Sequence, residues 1–185
     1  ILLAGPTASG KTKLAIHLAK NLKGEIINAD SMQVYKEFSV LSSRPDRKEM
    51  LLAKHHLYGF ISVKKYFSSG DWYKLAKKKI NQCLKKGRIP IVVGGTGLYF
   101  NTITKGMSKI PRIDIKTRRS VRALFKKLGP KNFYKSLLKL DPKIKNRILP
   151  SDTQRSQRAY EVAIKTKKSF YDWTKNTKSE FANHE

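Results

Sequence analysis

The chain has 185 residues, of which 39% are hydrophobic, enough to bury one sizeable core with a small appendage but not two full domains. Its longest apolar run, around residues 89–93, is far below the roughly 20 residues a membrane-spanning helix needs, and its one cysteine excludes an intrachain disulfide or a metal cluster built on cysteines. A formal charge of +27, from 40 basic and 13 acidic residues, favours encounters with polyanions such as nucleic acid.

These bounds lead us to expect a soluble protein of a reducing cytoplasm, without a membrane role, with Cys83 as an inert helix thiol. Lysine outnumbers arginine 30 to 10, as an A/T-rich coding sequence would give any protein, so distribution says more than the total. Between Lys105 and Lys168 stand 20 basic and 4 acidic residues, a net +16 in 64 positions, the clustering expected of an anion-facing surface.

In chain order, Ile1-Leu2-Leu3-Ala4 is an apolar run closed by Gly5-Pro6, and residues 11–22 carry Leu14, Ala15, Leu18 and Leu22 in helical register. This reads as strand, tight loop, helix. Because the sequence opens at Ile1, without Met and already inside a strand, a few native residues are expected ahead of it. Gly24 closes the helix, and Glu25-Ile26-Ile27-Asn28 forms a second strand that delivers Ala29-Asp30-Ser31 to its carboxyl end. A helix of about sixteen residues, 71–86, leads into a third strand at Ile89-Pro90-Ile91-Val92-Val93. Strands that are apolar throughout and alternate with helices predict a parallel sheet covered on both faces. Ligands of such sheets sit beyond the carboxyl ends of the strands.

After Gly106 the pattern changes. Segments around 115–128, 132–140 and 152–165 have helical spacing and are parted by Gly129-Pro130, Asp141-Pro142 and Pro150-Ser151, with no strand evident. We therefore expect an α/β core over residues 1–108 and a mainly helical, basic addition over 109–185.

The first loop carries the sharpest motif. Gly5-Pro6-Thr7-Ala8-Ser9-Gly10-Lys11-Thr12 matches G-x-x-x-x-G-K-[ST] between a strand and a helix, the context a P-loop requires. The glycines let backbone N–H groups converge on phosphate oxygens, the helix N-terminus adds its positive end, and Lys11 supplies a mobile cation. Thr12 is placed to hold a magnesium ion, and Thr7 and Ser9 lie where they would touch the bound phosphates. By itself the motif points to ATP or GTP and to a small-molecule or nucleotide kinase. The four histidines, His17, His55, His56 and His184, form no zinc signature, and no metal site is expected from them.

Further motifs redirect the reading. Asn28-Ala29-Asp30-Ser31-Met32-Gln33-Val34-Tyr35-Lys36 and Val93-Gly94-Gly95-Thr96-Gly97-Leu98-Tyr99-Phe100 closely resemble the tRNA dimethylallyltransferases, also called tRNA isopentenyltransferases. His55-His56-Leu57, Phe67-Ser68-Ser69-Gly70-Asp71-Trp72, Gly87-Arg88-Ile89-Pro90 and the stretch from Pro150 to Val162 continue the likeness in family order over nearly the whole chain. The resemblance implies a P-loop NTPase-like parallel sheet flanked by helices, with a basic helical addition facing RNA. It implies transfer of dimethylallyl from its diphosphate to N6 of an adenine next to the anticodon of tRNA, with release of diphosphate; magnesium is the expected cofactor and a monomer the expected state.

An exocyclic adenine amine is a poor nucleophile, because its lone pair is delocalised into the ring, and its attack needs a base. Asp30 is the candidate; a magnesium-coordinating acid and a helix cap are its alternative roles. Lys11, the loop amides and magnesium would stabilise the departing diphosphate. Thr96 would donate to the bridging oxygen or a phosphate, or else serve as a turn threonine. By resemblance, Asp30, Ser31, Met32, Gln33 and Thr96 lie beside the target base, with the Gln33 amide suited to an adenine edge. Arg118, Gln154, Arg155, Ser156, Gln157 and Arg158 occupy the family's RNA-contacting positions, and the same arginines would also suit a solvated helix face. The chain departs from the family at Gly59, where aspartate is usual, over residues 37–43, and at Arg44, a common lysine. It also ends before a further helical segment of the family. A kinase, a noncatalytic RNA-binding remnant and a prenyltransferase acting on free nucleotides are the competing functions.

Overall fold

The computed structural model describes residues 1–181. These divide into two compact units, one of residues 1–106 joined by the described residues from Ser179 onward, the other of residues 107–178.

The first unit is an α/β layer with β1 (Leu2–Ala4), α1 (Lys11–Asn21), β2 (Gly24–Asn28), α2 (Arg47–Leu52), β3 (His55–His56), α3 (Ser69–Lys85), β4 (Ile89–Gly94) and α4 (Gly97–Thr104). All four strands run parallel in the order β1-β4-β2-β3. Alternation along β2 assigns its two faces. Ile26 joins Ile91 and Val93 in a core cluster with Ala15, Ile16 and Ala19 of α1. Glu25 points to the other face, where it meets Cys83 of α3. The central strands are buried on both faces: Ile27 and Ile91 are 0% exposed, and the two polar residues of β2, Glu25 and Asn28, are buried as well.

Three expected strands and the two long helices of this unit are present, and three elements were not expected. The strand β3 has only two residues, both histidines, and owes its place to pairing with Ile26 and Ile27. The short α2 begins at a capping box in which the Asp46 carboxylate accepts from the Glu49 N–H at 2.7 Å and Glu49 accepts from the Asp46 N–H at 3.0 Å. The third, α4, starts directly behind Thr96. Ser68 and Asp71 build a second capping box at the start of α3.

The second unit is helical among its described residues, with α5 (Ile115–Leu140), α6 (Thr153–Thr166) and α7 (Phe170–Thr174). Gly129 adopts φ 69° and ψ 169° ahead of Pro130, so α5 is two helical segments meeting at a break, as the Gly-Pro pair predicts. Leu137, Ile144, Ile148 and Ala159 form a core cluster, and Phe133 and Val162 are buried as well. Asp114 caps α5 through the Thr117 N–H at 2.8 Å and pairs with Lys165 at 2.8 Å; that ammonium first, and the Thr117 donors second, hold its carboxyl well below the usual carboxylate range. The buried Asp141 accepts from Ser169 Oγ at 2.9 Å and the Phe170 N–H at 3.1 Å, tying α7 to the end of α5. No helix among the described residues is long and apolar enough to cross a membrane.

Candidate functional site

Three carboxyl-terminal strand ends of the first unit lie side by side because β4 sits between β1 and β2. Each end leads into a loop singled out by its sequence: residues 5–12 after β1, 29–33 after β2 and 95–96 after β4. Backbone hydrogen bonds lock them together. The Gly5 N–H donates to the Gly94 carbonyl at 3.3 Å, the Ala29 N–H to the Val93 carbonyl at 2.7 Å, and the Thr96 N–H to the Ala29 carbonyl at 3.2 Å.

Gly94 makes this closeness possible. A methyl group built on it would overlap the Ala29 carbonyl and stand 2.7 Å from the Asp30 nitrogen. A methyl at the neighbouring Gly95 would lie 3.3 Å from the Gly5 carbonyl oxygen and 3.7 Å from Asp30 Oδ2. The first loop and the Asp30 carboxylate therefore approach each other across Gly95.

Within the first loop, Gly10 is the N-cap of α1 in the left-handed conformation, with no acidic side chain in the helix's first turn. The positive end of α1 is thus left for an external anion. Pro6, Thr7, Ala8 and Ser9 are exposed, while Lys11 and Thr12 are half-buried in the first helical turn. Ser9 Oγ donates to the Pro6 carbonyl at 2.9 Å. Lys11 folds back over the loop, with its ammonium on the Pro6 carbonyl and 3.2 Å from Ser9 Oγ. A phosphate would offer that ammonium a charged partner in place of two neutral ones.

Asp30 is oriented from below. Asn28, wholly buried, accepts from the Asp30 N–H at 2.9 Å and donates to the Asp30 and Leu57 carbonyls, each at 3.0 Å. Trp72 of α3 donates to the Asn28 carbonyl at 2.8 Å and stacks on Tyr99 of α4 with ring centroids 4.0 Å apart. Burial, then the nearby Tyr35 and Asp30, push the Tyr99 hydroxyl up to about 12, so it stays protonated. Asp30 Oδ1 accepts the Met32 N–H at 2.8 Å, whereas Oδ2 accepts no hydrogen bond among the described residues. Thr96 Oγ1 accepts the Ser31 N–H at 2.9 Å and lies 3.3 Å from Ser31 Oγ.

Lys11, Asp30, Ser31 and Thr96 are thus gathered at one sheet edge. Met32 is exposed beside them. Gln33 is committed elsewhere: its amide nitrogen donates to the carbonyls of Ser42 and Ser43 at 2.8 and 3.3 Å, stapling the atypical 37–43 segment. Two other departures from the family are neighbours in space. Gly59 has φ 51°, and a methyl there would stand 2.7 Å from Arg44 Cζ, so the Arg44 side chain fills the space a residue at 59 would need. That contact joins positions 15 apart, and nothing in the sequence signals it.

In the second unit, α6 starts at Asp152, which accepts the Arg155 N–H at 3.0 Å and faces the Arg155 guanidinium at 3.5 Å. Gln154 is exposed, Gln157 donates to the Thr153 carbonyl at 3.3 Å, and Ser156 is buried at 2%. The buried Glu161 was not singled out from the sequence. It holds Arg158 at 3.1 Å and Arg118 at 3.9 Å, fixing two arginines to one point. Replacing Glu161 by Gln removes the shared counter-charge. We expect about 1–3 kcal/mol of lost stability, read by urea denaturation, with Arg158→Ala costing less because its head is partly exposed.

His17 pairs with Asn21 at 2.9 Å, and His55 and His56 point to opposite faces of the sheet; His184 lies outside the described residues. The family model for IPP transferase matches residues 33–184. Similar to the chain are a tRNA dimethylallyltransferase of Pelagibacter ubique (strain HTCC1062), 56% identical over 98% of this chain and 58% of its own length, and one of Rickettsia bellii (strain OSU 85-389), 45% identical over 94% and 55%. Among solved structures, a eukaryotic dimethylallyltransferase acting on tRNA matches with TM-score 0.78 and 30% identity, over 96% of this chain and 45% of that one. The full-length tRNA isopentenylpyrophosphate transferase of Bacillus halodurans matches with TM-score 0.58 and 36% identity, over 92% and 56%. The chain spans a little over half the length of the curated relatives it matches.

Proposed function

This chain belongs to the IPP transferase family, and on that premise we propose that it carries the donor site and the base of an enzyme that moves a dimethylallyl group from its diphosphate to N6 of an adenine next to a tRNA anticodon. What supports the reading above all is that the first loop and Asp30 meet across Gly95, where an added methyl would stand 3.3 Å from the Gly5 carbonyl oxygen and 3.7 Å from Asp30 Oδ2.

In this reading the diphosphate rests on the backbone amides of residues 5–12 and the N-terminus of α1. Lys11 exchanges the Pro6 carbonyl and Ser9 hydroxyl for phosphate oxygens, and Thr7 and Ser9 contact the donor. The N6 lone pair forms the new C–N bond as the C–O bond breaks, its electron pair leaving on diphosphate, and the amine proton passes to Asp30 Oδ2. Met32 holds the other carboxylate oxygen, which fixes the direction in which the base points. Thr96 turns its hydroxyl from Ser31 toward the leaving oxygen, where charge accumulates. The Thr12 hydroxyl is a hard donor that would suit a magnesium ion, which when bound would neutralise diphosphate charge. Arg118, Arg155 and Arg158, with Gln154 and Gln157, are assigned to tRNA, in a unit dense in positive charge, whereas Ser156, expected among them from the sequence, is buried at 2% and packs inside the unit instead.

An anticodon stem-loop incubated with labelled dimethylallyl diphosphate and magnesium is expected to gain label at N6 of the target adenine. ATP should not replace the donor, and free AMP should not replace the RNA. Phosphorylation by ATP would establish the kinase alternative, and RNA binding without transfer from any donor would reduce the chain to a binding remnant. For Lys11→Ala, the expected loss of donor affinity is roughly 10- to 100-fold, from one charge-assisted contact; calorimetry with the diphosphate measures it.

A further inference from the structure

On the α3 face of the sheet, about 15 Å along β2 from Asp30, lies a second cluster that the proposed reaction does not use. Glu25 is 8% exposed although it carries a carboxylate, and Cys83 is 1% exposed. His56 Nε2 stands 2.6 Å from Glu25 Oε2, Cys83 Sγ is 3.6 Å from the same oxygen, and all three potential ligand atoms lie within 4.8 Å of one another. Lys54, with a 57% exposed side chain, reaches Glu25 Oε1 at 3.5 Å from the solvent side.

We propose that Glu25, His56 and Cys83 form a binding site for a zinc-class divalent metal ion, with a fourth position open to solvent where Lys54 now stands. A tetrahedral zinc ion with bonds of about 2.0–2.3 Å separates its ligands by roughly 3.2–3.7 Å. The carboxylate and imidazole need to part by less than about 1 Å, and the imidazole and thiol, no more than 4.8 Å apart, to close by up to roughly 1–1.5 Å, movements that side-chain rotation supplies. Sulfur and imidazole favour zinc, cobalt or copper over magnesium or calcium.

Charge also fits. Binding releases the thiol proton, and the Nε2 proton if the imidazole carries one; carboxylate, thiolate and a divalent cation then sum to zero in a buried place. The ion would clip β2, the two-residue β3 and the end of α3 together. Its ligands are 31 and 27 positions apart, so no spacing motif announces it.

Titrating the metal-free protein with cobalt(II) tests this. A near-ultraviolet thiolate-to-cobalt band is expected that saturates at one equivalent, is displaced by zinc(II), and is missing in Cys83→Ser. Zinc should raise the melting temperature of the unaltered protein but not of that variant. Lys54→Ala, a surface change, should tighten cobalt binding by roughly two- to fivefold by removing the competing cation. X-ray absorption of the zinc-loaded unaltered protein, which needs no variant, should show one sulfur among nitrogen and oxygen neighbours. No band at millimolar cobalt, a band that survives in Cys83→Ser, or a zinc shell without sulfur would overturn the proposal.

Discussion

Asp30→Asn is expected to lower single-turnover prenyl transfer by about 10²- to 10⁴-fold, the range that a positioned general base contributes, while donor affinity stays within about twofold. The two readouts diverge because the residue's two oxygens have different duties. Oδ1 accepts the Met32 N–H, and an asparagine carbonyl can keep that bond. Oδ2 accepts nothing among the described residues, and an amide there cannot take a proton. Rapid-quench transfer alongside donor calorimetry separates the effects. A parallel fall in both would make Asp30 a holder of the donor or its metal, and unchanged transfer would remove the base assignment.

Gly94→Ala is expected to be the most damaging single methyl in the first unit. The added carbon would overlap the Ala29 carbonyl and stand 2.7 Å from the Asp30 nitrogen; both obstacles are backbone, so no side chain can swing aside. Relief requires β4 to move from β2, breaking the bond from the Ala29 N–H to the Val93 carbonyl. The cost should reach the upper end of the roughly 1–3 kcal/mol typical of overpacking, or exceed it. Urea denaturation gives the stability, and donor binding in the folded fraction tells whether the strand ends still meet. Gly95→Ala is the milder comparison: its methyl would stand 3.3 Å from the Gly5 carbonyl oxygen and 3.7 Å from Asp30 Oδ2, which asks for a shift of a few tenths of an ångström, so it should cost less stability than Gly94→Ala while crowding the site.

Much of the first unit was legible because its strands are short apolar runs broken by turn residues, and the loop after β1 has a pattern that few other structures need. The two halves of α5 were legible from Gly129-Pro130. The strand β3 was not, since two histidines carry no strand signal and pairing with Ile26 and Ile27 alone makes them one. The capping box at Asp46 and Glu49 is a helix-start signal in the sequence, but only six helical residues follow it, too few to show an amphipathic period. Gln33 shows the limit of reading a side chain by its chemistry: its amide suits an adenine, yet in the fold its donors serve Ser42 and Ser43. Glu161 could have been found three residues after Arg158 on a helix, whereas its contact with Arg118 depends on how α5 and α6 pack.

The central claim is that the first loop and Asp30 serve a single reacting centre. A crystal structure of the protein with magnesium and an unreactive thio-analogue of dimethylallyl diphosphate tests it most directly. The account predicts phosphate oxygens on the amides of residues 5–12 and the Lys11 ammonium, with the allylic carbon turned toward Asp30 Oδ2. Diphosphate bound away from that loop, or an allylic carbon directed away from Asp30, would contradict it.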